Sequence, residues 1–303
     1  MNQILVPLDG SALAEQALSC AVMLGRGLSA KLVLFRAVSI ASDVQAVLDD
    51  HAGPHANAVA TWYEAEAKEY LCGVADRLSN AGLKVGHVVQ HGAAAEAIVD
   101  YAGQTDVRLI VMATQGHSGL KRWRHGSVAE RVLQAAGVPV LLVRAQEADS
   151  ARGLQQSVCR RILVPLDGSG MAEQVLPVVS PIARVLEAEM ALFQTATTHM
   201  LGSLSSNEWY VSLQNTFEMA EQRARGYLEC TAHRLNEQGL ETSTAVWTGS
   251  VAESIVEYAE SHSMDMIAMC THGRTGLARW ALGSVADRVL RAADVPILLV
   301  RAS

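Results

Sequence analysis

Aromatic residues are scarce in this chain: 3 Phe, 6 Tyr and 5 Trp among 303 residues. With so few large rings, Ala, Val and Leu must fill any core, and small side chains of this kind suit helices packed closely on a parallel sheet. No apolar run approaches the ~20 residues that a membrane-crossing helix needs. The amino-terminal Met-Asn-Gln-Ile-Leu-Val-Pro-Leu-Asp lacks the basic start of a secretory signal and turns polar within a few residues, so it reads as a strand. The five cysteines, Cys20, Cys72, Cys159, Cys230 and Cys270, form no Cys-x2-Cys pair. That usage fits a reducing cytoplasm rather than a disulfide framework. Positive charge is not in excess: the formal net charge is −7, which speaks against DNA or RNA as the main partner. Lys121-Arg-Trp-Arg-His125 is a local exception, and reads either as a solvated loop or as an anion-facing one.

Several chemical signatures are missing as well. There is no Gly-x4-Gly-Lys-Ser/Thr, so a P-loop is excluded, and no Gly-x-Gly-x2-Gly follows the first strand, so dinucleotide binding is unsupported. His87 and His91 share a strand face, but four residues at a rise of ~3.3 Å set them too far apart to chelate one metal. No Ser-His-Asp arrangement follows from spacing, and no strong general base stands beside the glycine-rich loops, so sustained turnover has little support.

What is present is a repeat. Ile4-Leu-Val-Pro-Leu-Asp-Gly-Ser11 recurs unchanged as Ile162-Leu-Val-Pro-Leu-Asp-Gly-Ser169. Ser127-Val-Ala-Glu-Arg-Val-Leu recurs as Ser284-Val-Ala-Asp-Arg-Val-Leu, and Val138-Pro-Val-Leu-Leu-Val-Arg-Ala145 as Val295-Pro-Ile-Leu-Leu-Val-Arg-Ala302. The offsets differ by a single residue, so a whole domain is duplicated. The expected organisation is a first domain over 1–145, a linker over 146–159 and a second domain over 160–303. A hydrophobic fraction of 50% provides for two cores.

Each half alternates strand and helix. In the first, strands are predicted at Gln3–Leu8, Lys31–Val38, Lys84–Gln90, Arg108–Ala113 and Val138–Val143. Helices are predicted from Ser11 to about Gly27, and over Ala56–Ala81, Ala93–Gln104 and Ser127–Ala136. Strands near 161–166, 189–196, 241–247, 265–270 and 295–300 repeat the pattern. Alternation of this kind argues for right-handed crossovers and one parallel sheet per half, covered on both faces. Ligands of such sheets sit outside the carboxyl ends of the strands, where strand order reverses.

Two loops per half lie at such ends. After the first strand come Pro7-Leu-Asp9-Gly-Ser11 and Pro165-Leu-Asp167-Gly-Ser169. The Asp there either caps the helix or accepts hydrogen bonds from an adenosine moiety. After the fourth strand come Thr114-Gln-Gly116-His-Ser-Gly119, leading to Gly126-Ser127, and Thr271-His-Gly273-Arg-Thr-Gly276, leading to Gly283-Ser284. Glycines let backbone approach a phosphate, and a helix start favours an anion. Ser127 and Ser284 read as N-caps, as phosphate donors, or as both.

On these residues the chain resembles the universal stress protein family over both halves, as a tandem member. The resemblance implies two doubly wound, five-stranded parallel sheets of order 3-2-1-4-5, of the adenine nucleotide alpha hydrolase-like kind. It also implies ATP binding in a subset of members, through a Gly-x2-Gly-x9-Gly-Ser/Thr loop. Gly116 with Gly126-Ser127, and Gly273 with Gly283-Ser284, keep the nine-residue spacing, but Ala113 and Cys270 stand where the first glycine belongs. A Cβ is costly there if the position needs positive φ. The nucleotide positions carried over are Pro7, Asp9, Val38, Met112, Ala113, Gly116, Gly126, Ser127 and Val128. In the second half they are Pro165, Asp167, Ala196, Met269, Cys270, Gly273, Gly283, Ser284 and Val285.

The expectation is therefore a cytoplasmic stress-response protein that binds ATP, with Mg²⁺ accompanying it, and acts by binding rather than turnover. The alternatives are a nucleotide-free interaction module of the same fold and a slow ATPase or phosphotransferase. No nucleic-acid partner and no membrane span are expected. The resemblance implies that the last strands, Val138–Val143 and Val295–Val300, pair as an internal pseudo-dimer, with a homodimer of chains left open.

Overall fold

The structure, a computed structural model, describes residues 3–39, 54–114, 127–145, 158–196, 206–271 and 282–302, without the side chains of 54–60 and 206–216. It divides into two compact units, Met1–Ser157 and Val158–Ser303. Among the described residues, unit 1 runs β1 Gln3–Pro7, α1 Ala12–Glu15, α2 Ala17–Gly27, β2 Lys31–Val38, α3 Pro54–Asn80, β3 Val85–His91, α4 Ala94–Gln104, β4 Val107–Ala113, α5 Ser127–Ala135 and β5 Val140–Val143. Unit 2 runs β6 Arg161–Pro165, a 3₁₀ turn Ala172–Val175, α6 Leu176–Leu186, β7 Glu189–Ala196, α7 Ser206–Asn236, β8 Thr242–Thr248, α8 Val251–Ser261, β9 Met266–Cys270, α9 Ser284–Ala292 and β10 Ile297–Val300.

Within unit 1 the strand order is β3-β2-β1-β4-β5, and within unit 2 it is β8-β7-β6-β9-β10, the expected 3-2-1-4-5 in each. All pairings inside a unit are parallel, with Pro7 beside Phe35 and Leu5 beside both Val33 and Ile110. Helices cover both faces of such a sheet, so the central strands are apolar throughout: Ile4, Leu5 and Val6 are all within 1% of complete burial. The outer strands β3 and β8 instead expose their second-face residues, His87 and His91 among them.

The helix predicted from Ser11 to Gly27 is in fact two. Gln16 N–H bonds Leu13 O at 3.3 Å, an i to i+3 bond that tightens the chain and turns α1 into α2. Unit 2 breaks at the same place for a more legible reason: Pro177 sits in the first turn of α6, where its missing N–H costs nothing. Strands β5 and β10 start two residues later than predicted. Pro139 and Pro296 have no N–H to give, yet their carbonyls still accept from Ile110 N and Ile267 N at 3.0 Å. At α2, Gly25 allows close approach to the sheet, since a Cβ there would lie 2.9 Å from a Leu32 methyl.

Candidate functional site

The loop that leaves β1 is held by its own side chains. Asp9 Oδ1 accepts from Ser11 N at 2.9 Å and from Ser11 Oγ at 2.6 Å, while Ser11 Oγ accepts from Ala14 N at 3.1 Å and so caps α1. The turn needs Gly10, whose φ is +88°, and Arg36 packs 3.6 Å from where its Cβ would stand. Across the carboxyl edge, β4 ends with Met112 and Ala113 buried, and Thr114 N–H continues the ladder to Val143 O at 2.9 Å. Thr114 is 5% exposed, and among the described residues its Oγ1 has no hydrogen-bond partner.

Between these strand ends lies a hollow of about 120 Å³. Pro7, Leu8 and Asp9 line it from β1, and Met112, Ala113 and Thr114 from β4. The start of α5 adds Ser127, Val128 and Ala129. The structure thus brings together Pro7, Asp9, Met112, Ala113, Ser127 and Val128. Val38 is buried but does not line the hollow; β2 contributes Phe35 and Ala37 instead. Successive strand side chains face opposite ways, so Phe35 and Ala37 share the face turned to the hollow and the Val38 side chain lies on the other. Ala94 and Ile98 of α4 complete the apolar wall, and nothing in the sequence distinguishes them from ordinary core. Gly116 and Gly126 lie outside the described residues, as do Lys121–His125, Gly273 and the 146–157 part of the expected linker.

Behind the β1 loop stands a network that motif reading missed. Tyr70 of α3 donates to Glu15 Oε1 at 2.9 Å, and Arg77 Nη2 donates to Glu15 Oε2 at 2.8 Å. Unit 2 repeats it: Tyr227 donates to Glu173 Oε1 at 3.0 Å and Arg234 to Glu173 Oε2 at 2.9 Å. Burial, then the neighbouring Glu carboxylate, pushes both phenols well above the ordinary tyrosine range, so each stays protonated as a donor. A Tyr-x6-Arg spacing in both long helices, with a Glu in the first turn after each Asp-Gly-Ser, is the signal that carries it. Arg36 extends the network in unit 1, 3.0 Å from Glu66 Oε2 and over the Tyr70 ring at 5.4 Å.

In unit 2, Asp167 Oδ1 accepts from Ser169 N at 2.9 Å, and Ser169 Oγ accepts from Ala172 N at 3.1 Å. Pro165 ends β6 and pairs with Phe193, while Ala196, Met269 and Cys270 are all buried. Cys270 Sγ lies 3.6 Å from Ala172 O, and burial pushes its thiol up to about 12. Thr271 N–H bonds Val300 O at 2.9 Å, and Gly283 N–H bonds Thr271 O at 2.8 Å. That bond corrects one expectation: the cap of α9 is Gly283, held extended at φ −61° and ψ 149°, so Ser284 and then Val285 are the first helical residues and Ser284 is not the N-cap. Ala113 and Cys270 are both paired strand residues, outside the positive-φ set, so a Cβ there carries no backbone strain.

Two matches to the universal stress protein family, over residues 1–144 and 159–301, fall on the two units just described. The chain belongs to the universal stress protein family. A universal stress protein of Methanocaldococcus jannaschii is 30% identical over 147 residues, covering 48% of this chain and 84% of that protein. One from Bacillus subtilis is 29% identical over 148 residues, 47% of this chain and 99% of its own length. A solved universal stress protein from Archaeoglobus fulgidus superposes with a TM-score of 0.69 at 20% identity, covering 100% of this chain and 99% of that one. Among the described residues of this family member, no group of three or more His, Cys, Asp or Glu could hold a metal ion. His87 meets Cys72 Sγ at 3.6 Å and His91 meets Glu64 Oε2 at 3.2 Å, so the two histidines serve separate partners. No described helix is long and apolar enough to cross a membrane.

Proposed function

We propose that this universal stress protein binds an adenine nucleotide at the carboxyl edge of the unit 1 sheet and acts through that binding. The observation that carries the proposal is the hollow itself at the carboxyl edge of the sheet, lined by Asp9, Thr114 and the start of α5. Among the described residues the buried Thr114 hydroxyl has no hydrogen-bond partner, and a turn of this side chain toward a ligand would supply one. The half-open space of about 120 Å³ is room for on the order of four waters, the scale of one heteroaromatic base. Phe35, Ala37 and Ile98 provide apolar faces for such a ring. Sugar and phosphates would lie over the mouth, with the Asp9 carboxylate as acceptor and the α5 start at Ser127 favouring the anion. Mg²⁺ would come with the phosphates, since among the described residues no group of three or more His, Cys, Asp or Glu could hold it alone.

Binding without turnover follows from the same groups. Asp9 is the carboxylate among the described residues lining the hollow, and Ser11 N–H and O–H both bond its Oδ1, which ties it to the loop as a structural acceptor rather than a base. All five cysteines are free, which supports work in a reducing cytoplasm. Titration calorimetry of the full chain with ATP and Mg²⁺ tests the proposal: saturable uptake with ATP recovered unchanged is expected, and no heat up to millimolar ATP overturns it. A nucleotide-free interaction module draws its support from unit 2, where Gly283 N–H is spent on Thr271 and Cys270 Sγ reaches toward Ala172.

A further inference from the structure

The two units build their strand-end hollows from matched positions, and at three of these they part. Aligning β2 Lys31–Val38 with β7 Glu189–Ala196 sets Thr195 where Ala37 lines the unit 1 hollow. Aligning α4 Ala94–Gln104 with α8 Val251–Ser261 sets Val251 at the place of Ala94, and positive-φ Gly92 and Gly249 fix that register. Cys270 stands at the place of Ala113. Elsewhere the lining is retained: Leu166 for Leu8, Phe193 for Phe35, Ile255 for Ile98 and Met269 for Met112.

Each exchange replaces an alanine by something larger. Thr195 and Val251 each add two heavy atoms and Cys270 adds one. A water's share of liquid is ~30 Å³, and a heavy atom in a packed interior takes somewhat less, so the three exchanges remove space on the order of 100 Å³. The unit 1 hollow is about 120 Å³. Cys270 shows where the added atoms go: its Sγ lies 3.6 Å from the carbonyl of Ala172, the counterpart of Ala14, itself a wall of the unit 1 hollow. Thr195 itself is buried at 9% exposure, and among the described residues its Oγ1 has no hydrogen-bond partner.

We infer that the duplicated sites have diverged in capacity, so that unit 1 admits an adenine base, unit 2 is closed to it by Thr195, Val251 and Cys270, and the chain takes one nucleotide rather than two. This rests on the nucleotide reading of unit 1. The test is the stoichiometry of ATP with Mg²⁺ on the full chain, read by native mass spectrometry and calorimetry. One ATP per chain is expected in the unaltered protein. Ala37→Thr should weaken that site at least tenfold, whereas Thr195→Ala should not weaken it. The triple variant Thr195→Ala, Val251→Ala, Cys270→Ala should raise the count to two. Two equivalent sites in the unaltered chain overturn the divergence and leave the nucleotide reading intact, as does a folded triple variant that still takes one. No uptake by any of the proteins overturns the nucleotide reading and the divergence with it.

Discussion

Replacing Thr114 with valine exchanges one hydroxyl for a methyl group and changes little else in shape. Thr114 is 5% exposed at the end of β4, its N–H is used by Val143 O, and among the described residues its Oγ1 lacks a partner. An unsatisfied buried polar atom costs about 1–3 kcal/mol, so the valine form should be more stable by about 1 kcal/mol. For a unit of this size that is a rise in melting temperature of roughly 2–4 °C. Thr114 lines the hollow, and a turn of its side chain that brings the hydroxyl onto bound nucleotide makes the same substitution weaken ATP binding by about 1 kcal/mol, between fivefold and tenfold in Kd. Opposite signs in the two assays are the signature of a group kept for function at a cost in stability. Thermal melts without ligand and calorimetry with ATP and Mg²⁺ read the two numbers. A valine variant that is less stable by 1 kcal/mol or more, or that binds ATP as tightly as the parent, refutes the reasoning.

Other perturbations have equally definite signs. Gly10→Ala places a Cβ at φ +88° in otherwise ordinary contact with Arg36, so its cost is conformational, about 1–2 kcal/mol in urea unfolding, and Gly168→Ala at φ +79° should match it. Tyr70 and Tyr227 titrate above the ordinary tyrosine value in the folded chain, so their contribution is complete below about pH 10 and is lost as pH rises through the raised folded values. Tyr70→Phe with Tyr227→Phe should therefore flatten the alkaline fall in stability, and an unchanged slope in pH-dependent urea melts would remove the network from the account. Cys270, with its thiol pushed up to about 12 and 6% exposed, should resist alkylation at pH 8 while exposed Cys230 reacts, as followed by mass spectrometry of the intact native protein. Equal rates at the two thiols would contradict the burial of Cys270.

The sheet was legible because buried parallel strands read as unbroken apolar runs: Lys31–Val38 and Glu189–Ala196 are observed at their predicted bounds. The outer strands β3 and β8 began one residue late, where half-exposed alternation blurs the edge of the run. The strand-end loops were legible from Asp-Gly-Ser, and the structure sets Asp9, Met112, Ala113 and Ser127 around one hollow. Its remaining walls were not, because Phe35, Ala37 and Ile98 look like core in any sequence and only the alternation of β2 decides between Ala37 and Val38. The Glu15–Tyr70–Arg77 network was hidden by distance along the chain, since 55 and 62 residues separate its partners, although the duplicated Tyr-x6-Arg spacing was there to be compared.

Hydrogen exchange of the full chain with and without saturating ATP and Mg²⁺ tests most directly whether a nucleotide sits in the hollow of unit 1. Slowed exchange is expected in peptides carrying Leu8–Ser11, Met112–Thr114 and Ser127–Ala129, with the matching peptides of unit 2 unchanged. Uptake of ATP that leaves those three unit 1 segments exchanging as before would place the ligand elsewhere and contradict the assignment.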